Sequence, residues 1–426
     1  MKSGGRIAAA IEVLDAVETR HRPISEALKD WGVAHRFAGS GDRAAIGNIV
    51  YDALRWRASS AWVMGSESPR AVVLATLARR WGADLAGVFA GDDHAPDALT
   101  AEEAERLASA DLAAAPPHVR ADVPEWAAAR FARVFGGDWV AEGEALAGRP
   151  PLDMRANRLK AERDKVIGAL GKFAAAPTPY SPDGVRIAAT AADGRHPNVQ
   201  VEPAFQKGWF EVQDEGSQIA ALAVGAKAGE QVLDLCAGAG GKTLALAAAM
   251  ANRGQVTATD SDRQRLAPIF ERLKRAGARN VQVREAGASL DDLAGRMDAV
   301  LIDAPCTGTG VWRRRPDAKW KLTERALGNR LGEQAALLAS ALAYLKPGGR
   351  LVYVTCSLLP DENDDQIAAF LAAHGDVRLV PPAEVIAGAD GLGDLAVAAL
   401  MTERGLILSP RRTGTDGFFI AMMRRT

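Results

Sequence analysis

Short apolar segments that alternate with longer helical patterns dominate the second half of the sequence, and this alternation constrains the fold more than any other feature. The segments are QVLDLC (231–236), QVTATD (255–260), NVQVRE (280–285), DAVLIDAPC (298–306) and GRLVYVTCS (349–357). Buried strands separated by helices predict an α/β fold with a parallel, doubly wound sheet. The last apolar pair, 405–410 and 417–425, predicts an antiparallel hairpin at the edge of that sheet.

The chain of 426 residues is too long for one ordinary hydrophobic core, so several domains are expected. Residues 1–148 are rich in Ala and Leu, with apolar residues three and four positions apart, which predicts a bundle of amphipathic helices. Residues 149–212 contain shorter apolar segments and predict a small mixed α/β domain. Residues 213–426 form the predicted Rossmann-like domain.

Charge and cysteine content narrow the class of protein. With 52 basic and 53 acidic residues, the net charge of −1 excludes a strongly basic nucleic-acid coat but allows local basic patches. The cysteines lie far apart without a C-x-x-C spacing, which predicts reduced thiols in the cytoplasm and neither a disulfide framework nor a metal site. Glu12 and Asp15 interrupt the first apolar stretch, and no segment is long and apolar enough to span a membrane, so neither a secretory leader nor a membrane anchor is expected. Nothing in the sequence requires more than a monomer.

The cysteines share an unusual position in the predicted sheet. Cys236, Cys306 and Cys356 each follow a buried strand, the first, fourth and fifth of the series. Because ligands bind beyond the carboxyl ends of parallel strands, we expect all three thiols to face one crevice.

The turn after the first strand, DLCAGAGGKT (234–243), predicts a site for a nucleotide-like ligand, because glycines there let the backbone approach a ligand closely. An NAD fingerprint would need glycine at position 243, where Thr243 stands. An ATP phosphate loop fits Lys242 and Thr243 but would need glycine in place of Cys236.

S-adenosylmethionine is the third candidate ligand, since it needs a glycine turn without phosphate donors and an acid at the end of the next strand. Asp260, nineteen residues beyond Gly241, is that acid and is expected to accept from the ribose hydroxyls. The alternative is that Asp260 only caps the helix that follows it.

An acid and two thiols at neighbouring strand ends suggest a specific chemistry. Carbon 5 of a pyrimidine is a poor nucleophile, and adding a thiolate at carbon 6 produces an enamine that can attack a methyl sulfonium. An acid must stabilise the adduct, and a base must then remove the carbon-5 proton. Asp303, Cys306 and Cys356 supply these groups, although the residues alone do not indicate which thiol attacks.

Three motifs together resemble the RsmB/Nop/NSUN family of RNA cytosine-5 methyltransferases: DLCAGAGGKT (234–243), DAPCTGTGVWRRRPDAKW (303–320) and VTCSLLPDEN (354–363). The likeness extends to PPLDMRANRLK, FEVQDEGSQ and TGTDGFF. The resemblance implies a class I methyltransferase fold with S-adenosylmethionine as cofactor. It also implies that Cys356 is the nucleophile, that Cys306 assists product release and that Asp303 lies between the cytosine and the cofactor.

The resemblance further implies a set of cofactor-binding residues: Cys236, Ala237, Gly238, Ala239, Gly240, Gly241, Lys242, Asp260 and Asp303. The chain departs from the family pattern after the third strand. Gly287 or Ala288 stands where the family usually has an acid near the adenine.

The helical third is similar to the NusB-like RNA-binding domain of bacterial family members, notably in GDRAAIGNIVYDALRWR (41–57), and DVPEWAAARFARVFG (122–136) resembles their connecting segment. This combination implies RNA as the partner, either small-subunit (16S) ribosomal RNA or an assembly intermediate. Transfer RNA is the alternative substrate, and an ATPase or a non-catalytic RNA-binding protein are the alternative classes. The basic stretch RRRPDAKWK (313–321) is expected to meet RNA phosphates, and Trp312 and Trp320 are expected either to stack on bases or to pack in a core.

Overall fold

The computed structural model describes residues 1–19, 22–90 and 92–426. These residues form two compact units. The helical unit comprises Met1–Arg149, Ala189–His196 and Trp312–Lys321, and the α/β unit comprises Pro150–Ala188, Pro197–Val311 and Leu322–Thr426. Among the described residues, no helix is both long and apolar enough to cross a membrane.

Amphipathic helices build the helical unit, as the spacing of apolar residues predicts. Its helices within the described residues are Ser3–Thr19, Ile24–Ala34, Ser40–Arg55, Arg57–Met64, Pro69–Arg80, Leu85–Phe89, Ala101–Ser109, Pro117–Arg120, Glu125–Phe135, Trp139–Ala147 and Pro316–Lys321. In the first helix, Ile7, Leu14 and Val17 are buried along one face, which is the pattern of a helix that packs against a core. The predicted helical bundle is confirmed.

The helical unit also contains a segment that the domain prediction assigned to residues 213–426. Trp312 is 1% exposed, and its ring stacks on Phe131 with the centroids 5.8 Å apart. The Lys319 ammonium group is buried and donates to the backbone carbonyls of Arg55 and Asp122, both at 2.8 Å. These partners are far away in sequence, which is why charge and spacing alone did not reveal the packing.

The α/β unit begins with a small antiparallel sheet. Its strands are β1 (Leu152–Ala156), β2 (Ala176–Pro177), β3 (Gly184–Ile187) and β4 (Phe210–Val212), in the order β2-β3-β1-β4. Met154, Val185 and Phe210 are fully buried in its core together with Val166 of the helix Arg163–Ala169. The predicted mixed α/β character of residues 149–212 is therefore confirmed.

The main sheet has the order β11-β12-β13-β9-β8-β5-β6-β7, with β10 also paired to β13. Its strands are β5 (Gln231–Asp234), β6 (Gln255–Ala258), β7 (Val281–Val283), β8 (Met297–Asp303), β9 (Leu345–Thr355), β10 (Val377–Val380), β11 (Leu400–Met401), β12 (Leu406–Leu408) and β13 (Phe418–Arg425). β5 to β9 are mutually parallel, whereas β13 runs antiparallel to both β9 and β12. The predicted parallel sheet and its terminal hairpin are both confirmed.

Helices cover the main sheet and connect its strands. Within the described residues of this unit, the helices are Arg163–Ala169, Pro203–Gln206, Glu215–Leu222, Gly241–Ala249, Arg263–Leu266, Ile269–Ala276, Glu324–Ala341, Asp364–Ala373, Pro382–Ala387, Leu395–Ala398 and Pro410–Thr413. The sheet interior is apolar, and Val232, Leu301 and Val352 on three adjacent strands are fully buried. Because β5, β8 and β9 are parallel neighbours, the loops that follow them leave the sheet at the same edge.

Candidate active site

The glycine turn after β5 packs tightly against the helix Ile269–Ala276. Gly238 and Gly240 adopt positive φ angles of 49° and 82°, a conformation that glycine tolerates best. A Cβ atom at Gly240 would lie 2.5 Å from a side-chain carbon of Ile269, so no other residue fits there without a shift. The helix Gly241–Ala249 begins directly after this turn. Gly240 is therefore required by packing, while the approach of the turn to a ligand stays a prediction.

Asp260, at the end of β6, holds the glycine turn. Its Oδ2 atom accepts from the backbone N–H of Gly238 at 2.9 Å, and Oδ1 accepts from the N–H of Asp262 at 2.9 Å. Arg265 pairs with the same carboxyl group at 3.3 Å. The side chain is buried, so its contact with a ribose stays a prediction.

A cleft of about 420 Å³ opens beside the turn. Its lining residues are Ser217, Cys236, Ala237, Gly238, Ala239, Gly241, Lys242, Gln264, Arg265, Pro268 and Asp303. A Cβ atom at Gly238 would meet nothing closer than 3.9 Å, so the turn presents bare backbone to open space. A wall of bare backbone with one carboxyl group fits S-adenosylmethionine, whose sulfonium is positively charged and which carries no phosphate.

The structure places the predicted cofactor residues in two groups. Cys236 to Ala239, Gly241, Lys242 and Asp303 line the cleft, whereas Gly240 and Asp260 support the turn from behind. Sequence reasoning did not single out Ser217, Gln264, Arg265 or Pro268. Ser217 lies in the FEVQDEGSQ motif, and the other three follow β6 directly, so their position after a strand end was the available signal.

The loop after β7 carries the departure from the family pattern. Gly287 has a positive φ angle of 77°, and the Ala288 N–H donates to the carbonyl of Glu285 at 3.0 Å, which closes a tight turn. The described residues 284–289 do not contribute to the cleft lining, which on this side consists of Gln264, Arg265 and Pro268.

Lys242 and Asp303 form an ion pair at the carboxyl end of β8. The Lys242 ammonium group donates to Asp303 Oδ2 at 2.6 Å and lies 5.3 Å from the ring centroid of Phe418. The Lys242 side chain is buried, while about a third of the Asp303 side chain is exposed to the cleft. An ATPase would need this lysine for phosphate, and its engagement with Asp303 disfavours that alternative.

Asp234, the last residue of β5, is a buried acid beneath the site. It is fully buried, Oδ2 accepts from the Thr243 hydroxyl at 2.6 Å, and Oδ1 has no hydrogen-bond partner. Burial, together with the nearby charge of Asp303, raises the pKa of Asp234 to about 7. The sequence analysis did not assign Asp234 a role, because its motif had been considered only for its glycines.

Cys306 and Cys356 are in direct contact. Their Sγ atoms are 3.4 Å apart, and both side chains are half-buried. Cys306 follows β8 and Cys356 follows β9, and the Gly310 N–H donates to the Cys356 carbonyl at 2.9 Å, which joins the two loops. The hydrogen bond with Cys356, aided by burial, raises the pKa of Cys306 well above its ordinary value. Cys306 therefore keeps its proton while this contact is made.

Cys236 is separate from this pair and lines the cofactor cleft. Burial raises the pKa of its thiol well above the ordinary range, so Cys236 stays protonated and unreactive. All three cysteines follow strands at one edge of the sheet, but Cys306 and Cys356 are not among the residues that line the cleft, so a crevice shared by all three thiols stays a prediction.

Basic residues outside the stretch 313–321 also pair within the protein. Arg272 and Arg275, in the charged helix Ile269–Ala276, pair with Glu211 at 3.1 and 2.5 Å. Trp312 is in the core of the helical unit, so its packing alternative is correct. The Trp320 indole N–H donates to the Leu54 carbonyl at 2.7 Å, and its ring remains half-exposed.

Comparison with known families agrees with this site. The family model described as 16S rRNA methyltransferase RsmB/F matches residues 221–424, and the RsmF/B-like ferredoxin-like domain matches residues 123–192. Both matches lie beyond most of the helical unit, whose NusB-like character stays a prediction.

Individual relatives point in the same direction. Ribosomal RNA small subunit methyltransferase B of Klebsiella pneumoniae is 38% identical over 260 residues, covering 60% of this chain and 59% of the relative. The protein of that name from Erwinia tasmaniensis is 36% identical over 307 residues, covering 70% and 66%. The chain thus spans between 59% and 66% of the length of these curated relatives.

Solved structures extend the likeness. A methyltransferase homolog protein from Pyrococcus horikoshii is 31% identical, with a TM-score of 0.58 over 73% of this chain and 98% of that one. The structure of the protein PH0851 is 25% identical, with a TM-score of 0.72 over 100% of this chain and 99% of that one. With its two family matches and these relatives, the chain belongs to the RsmB/F family of methyltransferases.

Proposed function

We propose that the protein transfers a methyl group from S-adenosylmethionine, the cofactor of this family, to carbon 5 of a cytosine in RNA, through a covalent adduct between Cys356 and carbon 6. The observation that carries the proposal is the 3.4 Å contact between the Cys306 and Cys356 sulfur atoms, with Cys306 three residues beyond Asp303 in the loop after β8. The relatives named as methyltransferases of small-subunit ribosomal RNA favour that RNA as the substrate.

The thiol contact supports different roles for the two cysteines. Cys356 attacks carbon 6, while Cys306, whose pKa is raised chiefly by its hydrogen bond with Cys356, is the thiol that keeps its proton. When Cys356 is bonded to carbon 6, it no longer forms the hydrogen bond that is the main cause of the raised pKa of Cys306. Cys306 then loses its proton more readily and becomes the base that removes the carbon-5 proton, after which the bond to Cys356 breaks.

The ion pair of Lys242 and Asp303 supports stabilisation of the adduct. Attack at carbon 6 moves negative charge onto the ring, so a hydrogen-bonding acid is needed beside the ring nitrogen. Asp303 is partly exposed, and the Lys242 ammonium group that donates to it at 2.6 Å is the proton source of the pair, so the proton that reaches the ring nitrogen through Asp303 is supplied from Lys242. When bound in the cleft, S-adenosylmethionine supplies an electrophilic methyl group.

Methyl transfer tests the proposal directly. Protein, S-adenosylmethionine with a labelled methyl group, and unmodified small-subunit ribosomal RNA are incubated together, and the RNA is digested to nucleosides. The proposal predicts label in 5-methylcytidine from the wild-type protein and none from Cys356→Ala, which keeps the cofactor cleft. Label in transfer RNA instead would assign the alternative substrate, and label in another nucleoside would contradict the chemistry.

A further inference from the structure

A buried carboxyl group accepts two hydrogen bonds from the residue that follows Cys306. Glu362 is fully buried, and its Oε1 atom accepts from the backbone N–H of Thr307 at 2.8 Å. Its Oε2 atom accepts from the Thr307 hydroxyl group. Both oxygens of one acid are therefore spent on a single neighbour of Cys306.

Gln334 forms hydrogen bonds on the other side of Cys306. It is also fully buried, on the helix Glu324–Ala341, and its amide nitrogen donates to the Pro305 carbonyl at 3.0 Å and to Glu362 Oε1 at 3.0 Å. Pro305 precedes Cys306 and Thr307 follows it, so the two side chains fix the backbone on both sides of the thiol.

The cost of this arrangement argues for a purpose. A buried carboxyl group is unfavourable unless it is paired or well hydrogen-bonded, and among the described residues no Lys, Arg or His forms an ion pair with Glu362. Three donors from the Cys306 loop and from Gln334 compensate instead. Core packing alone would not require an acid at this position. Holding the Cys306 loop in one position does require a group that accepts several hydrogen bonds from it.

Resting on the proposed function, we propose that Glu362 and Gln334 are positioning residues, which hold the Cys306 thiol against Cys356 and thereby set the rate of the last step, release of the product. Cys356 does not need side-chain hydrogen bonds of this kind, because it follows β9 directly and its carbonyl accepts from the Gly310 N–H. Removing the hydrogen bonds of Glu362 or Gln334 therefore slows removal of the carbon-5 proton by Cys306 more than it slows attack by Cys356.

Glu362→Gln is the first test. Its amide nitrogen donates instead of accepting, so the Thr307 hydroxyl group must rotate to accept from it, and the charge-assisted bond that holds the loop is lost while the volume is kept. With unmodified RNA and S-adenosylmethionine, we expect the adduct to form as fast as in the wild type but to accumulate on a denaturing gel. The kcat should fall by about tenfold to a hundredfold, the range for a small misplacement of a reacting group, with little change in KM for RNA.

Gln334→Met is the second variant, which removes the bond to Pro305 and leaves Glu362 in place. It should shift the same readouts in the same direction and more weakly. Asp364→Asn is the matched control, because this partly buried acid on the same segment contacts Arg404 and lies away from the Cys306 loop. Wild-type turnover and no extra adduct are expected from it.

A thiol-labelling experiment keeps the inference separate from the proposed function. In the Cys356→Ala background, Cys306 alkylation by a maleimide is followed by peptide mass spectrometry, with Asp364→Asn in the same background as the reference. Glu362→Gln and Gln334→Met should raise the rate of Cys306 labelling severalfold relative to that reference. Unchanged labelling in folded variants overturns the positioning role. If the two variants change Cys306 labelling but the wild-type protein methylates no RNA, only the proposed function is overturned.

Discussion

At the scale of single residues, Asp234 makes a stability prediction whose sign follows from its environment. Its pKa is raised to about 7 in the folded protein, chiefly by burial, while an unfolded Asp titrates near 3.8. Between these values the folded state binds more protons than the unfolded state, so the free energy of unfolding falls as the pH rises from about 4 to about 7. This shift corresponds to at most about 4 kcal/mol.

Asp234→Asn should remove this dependence, because an amide imitates the protonated acid. Urea unfolding at several pH values should show that the variant gains stability relative to the wild type as the pH rises from about 4 to about 7. Asp291→Asn, the same change at an exposed acid, should follow the wild-type curve. Parallel curves for Asp234→Asn and the wild type would contradict a buried, protonated Asp234.

The chemistry of single residues could be predicted from the sequence only in part. Cysteines at the ends of two neighbouring strands indicated a shared site, and their 3.4 Å contact agrees with it. The sequence set Cys236 apart from the other two only by its lack of a chemical partner, because all three follow strands. Their difference comes from burial and from which loops touch, which are properties of the folded chain.

At the scale of elements, the segment Trp312–Lys321 shows how a buried lysine stabilises a loop. Lys319 is 2% exposed, and its two bonds are to carbonyl groups of Arg55 and Asp122. A hydrogen bond from a charged group contributes about 1.5 to 3 kcal/mol, and buried carbonyls left without a donor are costly.

Lys319→Met should therefore lower the free energy of unfolding of the helical unit by about 2 to 4 kcal/mol. Lys321→Met is the matched control, since Lys321 is exposed, and its bond to the Arg22 carbonyl at 2.8 Å and its pair with Asp317 at 3.9 Å both lie in solvent; a change within about 0.5 kcal/mol is expected. The comparison is made by chemical unfolding of the two variants. Equal stability of the two would show that the buried bonds contribute little.

The elements themselves were predictable where local pattern determines them. β5, β6 and β8 follow from short apolar segments bounded by polar turns. The predicted segment 349–357 begins four residues too late, since β9 begins at Leu345. The pattern of LKPGG resembles the end of the preceding helix, but that helix ends at Ala341. The fate of 313–321 was not predictable, because a run of charges usually lies at the surface, and its partners are distant in sequence.

At the scale of the whole molecule, every residue that lines the cofactor cleft belongs to the α/β unit. A ligand that binds only the folded state stabilises the region it contacts, by about 2.7 kcal/mol at a hundredfold excess over Kd.

Hydrogen exchange with and without S-adenosylhomocysteine should therefore show added protection at 234–243 and at 260–268. Exchange in the helices Ile24–Ala34 and Pro69–Arg80 should not change. ATP with magnesium is the control ligand and should protect neither region. Protection by ATP at the glycine turn would favour the ATPase alternative over the methyltransferase.

The most direct test of the central claim is a denaturing gel of wild type, Cys306→Ala and Cys356→Ala after incubation with S-adenosylmethionine and unmodified small-subunit ribosomal RNA. Because Cys306 ends the adduct that Cys356 forms, only Cys306→Ala should run as a stable protein–RNA adduct. An adduct from Cys356→Ala would reverse the two roles. Methyl transfer by Cys356→Ala at the wild-type rate would contradict covalent catalysis altogether.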